Sequence, residues 1–146
     1  MGYSKIVCGV TCSEASARAA AKAAGIAQEN GAELIFLNVA DITFLKGSTV
    51  SLQRTFAEDT LFNFGNQCLK FAAEIASALG VEARTVSRRG RIRDVIREVI
   101  LEEKADLLVI GHEQRTFFER FIFNGEVEKH VGRIRENIDI DVIVVE

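Results

Sequence analysis

The chain has 146 residues, 48% of them hydrophobic and 27% charged, with a formal net charge of −3. That length suits one domain, and the composition is that of a soluble globular protein able to bury a core without a disulfide or metal staple. The slight acidity argues against a nucleic-acid binder or a basic membrane-surface protein, and no apolar run reaches the roughly 18 residues of a membrane span. The start, Met1-Gly2-Tyr3-Ser4-Lys5, lacks a signal-peptide layout, and three cysteines, an odd number, do not pair off as a secreted framework would. The chain therefore reads as one cytoplasmic domain over residues 1–146.

The first element is a short buried strand, Ile6-Val7-Cys8-Gly9-Val10. Its apolar run is continuous, as in a parallel strand covered on both faces. Thr11-Cys12-Ser13-Glu14 fits a capping box with Thr11 at the cap. An alanine-rich helix is predicted over residues 13–30, ending at Gly31, where a left-handed cap is wanted. Residues 33–39 form the second strand, and residues 40–54, which have no steady period, read as a long surface loop. A helix is predicted from about Thr55 to Leu79, ending at Gly80, followed by an alternating, half-covered strand over residues 81–86. Residues 92–101 repeat the i, i+3, i+4 apolar pattern of a helix, and residues 105–110 are a second fully buried strand. A more polar helix over residues 125–137 and the run Val142-Ile143-Val144-Val145 close the chain. Alternating strands and helices imply right-handed crossovers and an open parallel sheet covered on both faces, a Rossmann-like α/β fold.

These pieces, in this order, resemble the universal stress protein family over nearly the whole chain. Residues 6–16 look like the family's opening strand, turn and helix start, and residues 31–39 like its second strand. The most specific block runs from Arg89-Gly90-Arg91-Ile92 to Ile110-Gly111-His112. Gly125-Glu126-Val127 resembles the Gly-Ser-Val helix start, and residues 141–145 the closing strand. The resemblance implies a five-stranded parallel sheet of order 3-2-1-4-5, a stress-response role, and a homodimer formed through the last strand, Val142 to Val145. An apolar strand at a sheet edge calls for such a cover independently. An unknown protein partner is also expected, with no membrane and no nucleic acid.

Family members divide into those that bind ATP and those that do not. Ligands of open parallel sheets sit beyond the carboxyl ends of the strands. Here that crevice gathers Val10, Thr11 and Cys12, then Asn38 and Val39, then Gly111, His112, Gln114, Arg115, Gly125, Glu126 and Val127 as candidate nucleotide contacts. By resemblance, binding members carry glycine, two residues, glycine, nine residues, then glycine and Ser or Thr. This chain keeps Gly111, has Gln114 at the second glycine, has ten intervening residues, and places Glu126 after Gly125. Thr11 replaces the aspartate of the first turn. A carboxylate at a helix start occupies the electrostatic place of a phosphate and repels it. Arg115 and Arg120 could partly restore anion affinity. The expectation is a degenerate site with no cofactor and action through protein contacts; the alternative is a switch that holds ATP or AMP.

Other chemistry is thinner. The arginines Arg84, Arg88, Arg89, Arg91, Arg93 and Arg97 could dock an anion at a strand-to-helix turn, but a solvated, ion-paired face is the preferred reading. A helix N-terminus can lower the pKa of Cys12, yet no second cysteine can be placed beside it from sequence. It reads as an incidental small residue and Cys68 as core. His112 has only Ser13 as a nearby nucleophile candidate, and no hydrolase or metal motif is present, so neither catalysis nor a metal is expected. Residues 116–123 hold four of the ten phenylalanines and either fill the crevice or meet a second subunit, with filling preferred.

Overall fold

The computed structural model describes residues 2–41, 51–112 and 140–146, with side chains of the second stretch described from residue 55. Eight elements follow one another: β1 (Lys5–Gly9), α1 (Glu14–Asn30), β2 (Glu33–Ala40), α2 (Ser51–Ala78), β3 (Ala83–Arg89), α3 (Ile92–Glu103), β4 (Leu107–Gly111) and β5 (Asp141–Val145). The strands form one sheet in the order β3-β2-β1-β4-β5, and every pairing is parallel.

The continuous apolar runs are explained by the two faces of that sheet. Ile6, Cys8, Leu34, Phe36, Leu107 and Val109 point to one side and meet α1 and α2. Val7, Ile35, Leu37, Leu108 and Ile110 point to the other and meet Val95, Ile96, Val99 and Ile100 of α3. A strand buried on both sides has no polar face to alternate with. The inner face of α1 is almost wholly alanine, with Ala19, Ala20, Ala23 and Ala24 fully buried. Side chains this short let the helix lie close on the sheet while adding little side-chain entropy loss.

The two edges differ. β3 carries Arg84, Arg88 and Arg89, whereas β5 is Asp-Val-Ile-Val-Val and half-buried along its whole length.

Several boundaries depart from the sequence expectation. Ala40 belongs to β2, and residues 51–54 already belong to α2, so the region read as a loop over residues 40–54 is shorter at both ends. Helix α1 is capped by Ser13, whose hydroxyl accepts from Ser16 N at 3.0 Å, and not by Thr11. Thr11 donates its hydroxyl to Ser13 Oγ at 3.0 Å, which makes it a brace for the cap. Arg88 and Arg89 lie inside β3, not in the turn after it. Gly31 adopts the expected left-handed cap at φ 63°. The helix predicted over residues 125–137 and the phenylalanine-rich segment lie outside the described residues.

At the amino end of the sheet, one carboxylate gathers three donors. Asp106 accepts from Ser4 N at 2.9 Å, Ser4 Oγ at 3.1 Å and Lys5 N at 3.0 Å. Burial opposes its ionisation, but these donors outweigh burial and hold its carboxyl below the usual aspartate range. A depressed folded pKa adds stability above the unfolded value of about 3.9, and that stability is lost as pH falls through the folded pKa. Asp106→Asn is expected to lower the melting temperature at pH 7 and to narrow its gap to the parent below pH 4. Melting curves from pH 2 to 8 check this; a gap independent of pH refutes it.

Candidate functional site

The site is built where β1 and β2 end. Beyond Gly9 the chain leaves the sheet, but Val10 stays tied to β2 on both of its polar atoms. Its N–H donates to Leu37 O at 2.8 Å, and its carbonyl accepts from Asn38 Nδ2 at 2.8 Å. Thr11 N then donates to Ser16 Oγ at 2.8 Å, and Ser16 is 1% exposed. The turn into α1 is therefore laced to both its neighbours before any ligand arrives.

Helix α2 forms the opposite wall. From Leu69 onward it lies on the sheet through Leu69, Ala72 and Ala76, while the turns over residues 55–64 overhang the carboxyl end and are largely exposed. Where the overhang begins, Gly65 is pressed against Asn38. A Cβ there would collide with Asn38 Oδ1 and come within 2.6 Å of Asn38 Cγ. A glycine in mid-helix costs about 1 kcal/mol relative to alanine, and this close approach is the reason for it. That mid-helix glycine is the one signal by which sequence reasoning could have found the contact.

Between the walls lies a cavity of about 230 Å³. Thr11, Cys12, Asn38, Val39, Ala40 and Asp41 line it from the strand ends, and Leu61, Phe64, Gly65 and Cys68 from α2. Phe64 is 58% exposed at its mouth. Asp41, read from the sequence as loop, also accepts from Ile92 N at 2.9 Å and so supplies the first turn of α3 with the cap that Arg91 does not. Only the tertiary fold brings that carboxylate to a helix 51 residues away.

Cys12 and Cys68 are joined by a disulfide with Cα atoms 5.2 Å apart. This corrects the reading of Cys12 as an incidental small residue, and two of the three thiols do pair; Cys68 lies in the core as expected and carries the bond from there. The partner was invisible in sequence because the bond spans 56 residues and depends on where α2 crosses the turn. Cys8 is fully buried, and burial pushes its thiol far up.

Of the expected contacts, the structure brings Thr11, Cys12, Asn38 and Val39 together around the cavity and puts Val10 behind them. Gly111 ends β4, buried, with His112 exposed just after it. Gln114, Arg115, Gly125, Glu126 and Val127 lie outside the described residues. Ser13 serves as the cap of α1.

The three arginines of the group that lie on β3 are used internally, and Arg93 meets its chain neighbour Asp94 at 3.5 Å. Arg88 pairs with Glu102 at 2.8 Å, and Arg84 reaches both Glu33 and Glu103. Arg89 contacts Glu58 at 3.0 Å and Asp59 at 2.8 Å, with its guanidinium 4.4 Å from the Phe62 ring centre. The Arg88 hydrogen bond lowers the Glu102 pKa, and that of Arg84 lowers the pKa of Glu103. Among the described residues, no group of three or more His, Cys, Asp or Glu could hold a metal ion, and no helix is long and apolar enough to cross a membrane.

The profile of the universal stress protein family matches residues 2–146. The chain belongs to that family. Universal stress protein MJ0531 of Methanocaldococcus jannaschii is 30% identical over 143 residues, covering 98% of this chain and 82% of that protein. Among solved structures, a universal stress protein in complex with cAMP is 27% identical, with a TM-score of 0.65 over 100% of this chain and 99% of the other. The protein MJ0577 superposes with a TM-score of 0.75 at 18% identity, over 99% of this chain and 96% of its own, and attests the fold alone. The 3-2-1-4-5 sheet expected of a universal stress protein is the sheet observed.

Gly65→Ala tests the wall contact. An ordinary helix interior would gain up to about 1 kcal/mol; here the Cβ displaces Asn38 from Val10, and overpacking of this kind costs about 1–3 kcal/mol. The expected result is a lower melting temperature in the parent background and little loss, or a gain, when Asn38→Ala is already present. An equal effect in both backgrounds rules the contact out.

Proposed function

We propose that this universal stress protein is a non-catalytic cytoplasmic homodimer of the stress response, whose crevice takes the base and ribose of an adenosine monophosphate and disfavours ATP. The observation that carries the reading is the cavity at the ends of β1 and β2, mostly apolar, with Thr11, Asn38 and Asp41 as polar groups and Phe64 at the mouth. At about 230 Å³ it lies below the roughly 300–1,000 Å³ of sites that enclose a drug-sized ligand, so it suits one end of a nucleotide with the phosphate outside. The relative solved with cAMP supports a nucleoside monophosphate as the ligand. In the sequence, Gln114 and Glu126 at the family's glycine and hydroxyl positions oppose a longer phosphate chain. Ser13 spends its hydroxyl on capping α1, which supports binding rather than hydrolysis.

The dimer reading rests on the contrast between the edges. Charge on an edge strand discourages pairing, and an apolar edge invites it. β3 carries three arginines, while β5 carries four consecutive aliphatic residues. Val144→Asp is expected to convert a dimer to a monomer by light scattering, and an unchanged dimer would exclude β5 as the interface.

Nucleotide binding is tested by mass spectrometry of small molecules released from purified protein and by thermal-shift titration with cAMP, AMP and ATP. A ligand of the folded state alone adds about 2.7 kcal/mol at a hundredfold excess over Kd. A dose-dependent rise with AMP or cAMP and a weaker one with ATP is expected, and Glu126→Ser with Gln114→Gly should strengthen ATP. No rise with any of them would leave a vestigial crevice and action through protein contacts alone. Base stacking on an aromatic is worth about 1–3 kcal/mol per base, so Phe64→Ala should weaken AMP roughly 5- to 150-fold; unchanged affinity would remove Phe64 from the site.

A further inference from the structure

We infer that Cys12 and Cys68 form a reversible thiol–disulfide switch in the wall of the crevice, whose oxidised state holds the overhang of α2 against the β1–α1 turn and whose reduced state releases it. Its consequence for ligand affinity rests on the nucleotide reading above; the exchange itself does not.

The placement of the bond carries the inference. Cys68 sits near where α2 leaves the sheet: Leu69, Ala72 and Ala76 beyond it are buried, and before it, past the buried Gly65, the turns over residues 55–64 are exposed or half-buried. A bond at that point joins the edge of the seated part of α2 to the β1–α1 turn and fixes where the helix turns that wall the cavity begin. Without it, anchors of the overhang include the Gly65–Asn38 contact and the exposed Arg89 group with Glu58, Asp59 and Phe62. Exposed ion pairs of this kind hold weakly. Two separate thiols cannot occupy the space of one S–S bond. Reduction therefore parts the turn from the helix or turns a thiol into the cavity.

The two sulfurs are also unequal in a way that suits exchange. Cys12 is exposed and precedes the cap of a 17-residue helix, whose N-terminal dipole favours a thiolate. Cys68 is 2% exposed. Cys8 is buried with its thiol protonated and does not compete. A small dithiol attacks Cys12 Sγ through its thiolate, the Cys12–Cys68 bond breaks, and Cys68 leaves as a thiolate and takes up a proton. The second thiol of the reagent then displaces Cys12 from the mixed disulfide, so two electrons reach the protein and the reagent becomes its disulfide. In the reverse direction the Cys12 thiolate opens a low-molecular-weight disulfide, and Cys68 displaces the second half as a thiol. In a reducing compartment such a bond forms transiently and reports oxidant.

The oxidised form presents the assembled cavity, so it binds AMP more tightly. Coupling is reciprocal, and AMP must favour the disulfide by the same factor that the disulfide favours AMP. The test equilibrates the folded protein against graded ratios of oxidised and reduced dithiothreitol. Maleimide mass addition counts free thiols, hydrogen exchange follows residues 55–68, and AMP affinity is measured in both states. Two thiols should appear together and reversibly, amides of the overhang should exchange at least about tenfold faster when reduced, and AMP should bind at least about fivefold more weakly. Cys68→Ala should behave as the reduced form with or without dithiothreitol. A bond that opens only on unfolding, or equal exchange of residues 55–68 in both states, overturns the switch. Equal AMP affinity in both states overturns its hold on the ligand. If neither state binds AMP while exchange of the overhang still responds, the nucleotide reading falls and the switch stands.

Discussion

The side chain of Asn38 continues the sheet past the point where its backbone stops. β1 ends at Gly9, and the next carbonyl, that of Val10, would face the open end of the sheet without a strand partner. Asn38 donates to it from β2. That single bond, paired with Val10 N to Leu37 O, sets where the β1–α1 turn stands and hence where Thr11 and Cys12 stand. The same amide fills the space that a side chain at Gly65 would need, so it also sets how near α2 comes. Both walls of the crevice are referred to one side chain. A half-buried, satisfied polar group of this kind is costly to remove, because its partner is left unpaired.

The rest of the carboxyl end is arranged around that constraint. Ser16 and Ser13 hold the turn from the helix side, Asp41 joins the end of β2 to the start of α3, and the disulfide ties the turn to α2. Elements from both faces of the sheet thus converge on one rim. The amino end is simpler. Asp106 gathers Ser4 and Lys5, and Tyr3 Oη donates to Asp141 at 2.9 Å. The two ends divide the work, one securing strand starts and the other shaping a cavity.

The charges of β3 are spent within the molecule. The arginines of β3 meet carboxylates on β2, α2 and α3, so a stretch that reads as an anion-docking surface is a set of ties between elements. These pairs are exposed and individually weak, but they leave β3 an edge guarded by charge. Among the described residues, the aliphatic edge at β5 has no such guard.

Local composition and periodicity determined a great deal here. The doubly apolar strands at residues 6–10 and 105–110, the alanine helix with its glycine cap and the amphipathic helix at residue 92 are nearest-neighbour properties, and each stands within a few residues of its expected place. The strand order and family came through the resemblance, and Thr11, Cys12, Asn38 and Val39 were legible as crevice residues because the fold puts ligands at strand ends. What sequence could not supply was anything that depends on how far apart in space two distant segments lie. Cys12 meeting Cys68, Gly65 meeting Asn38 and Asp41 capping α3 all depend on the crossing of α2 over the turn or on the turn of the chain after β2. Chain spacing carries no record of those distances. The first two are set by the alanine face of α1 and the seating of α2 on the sheet, the third by the seating of α3 on the opposite face, and only the packed structure contains them.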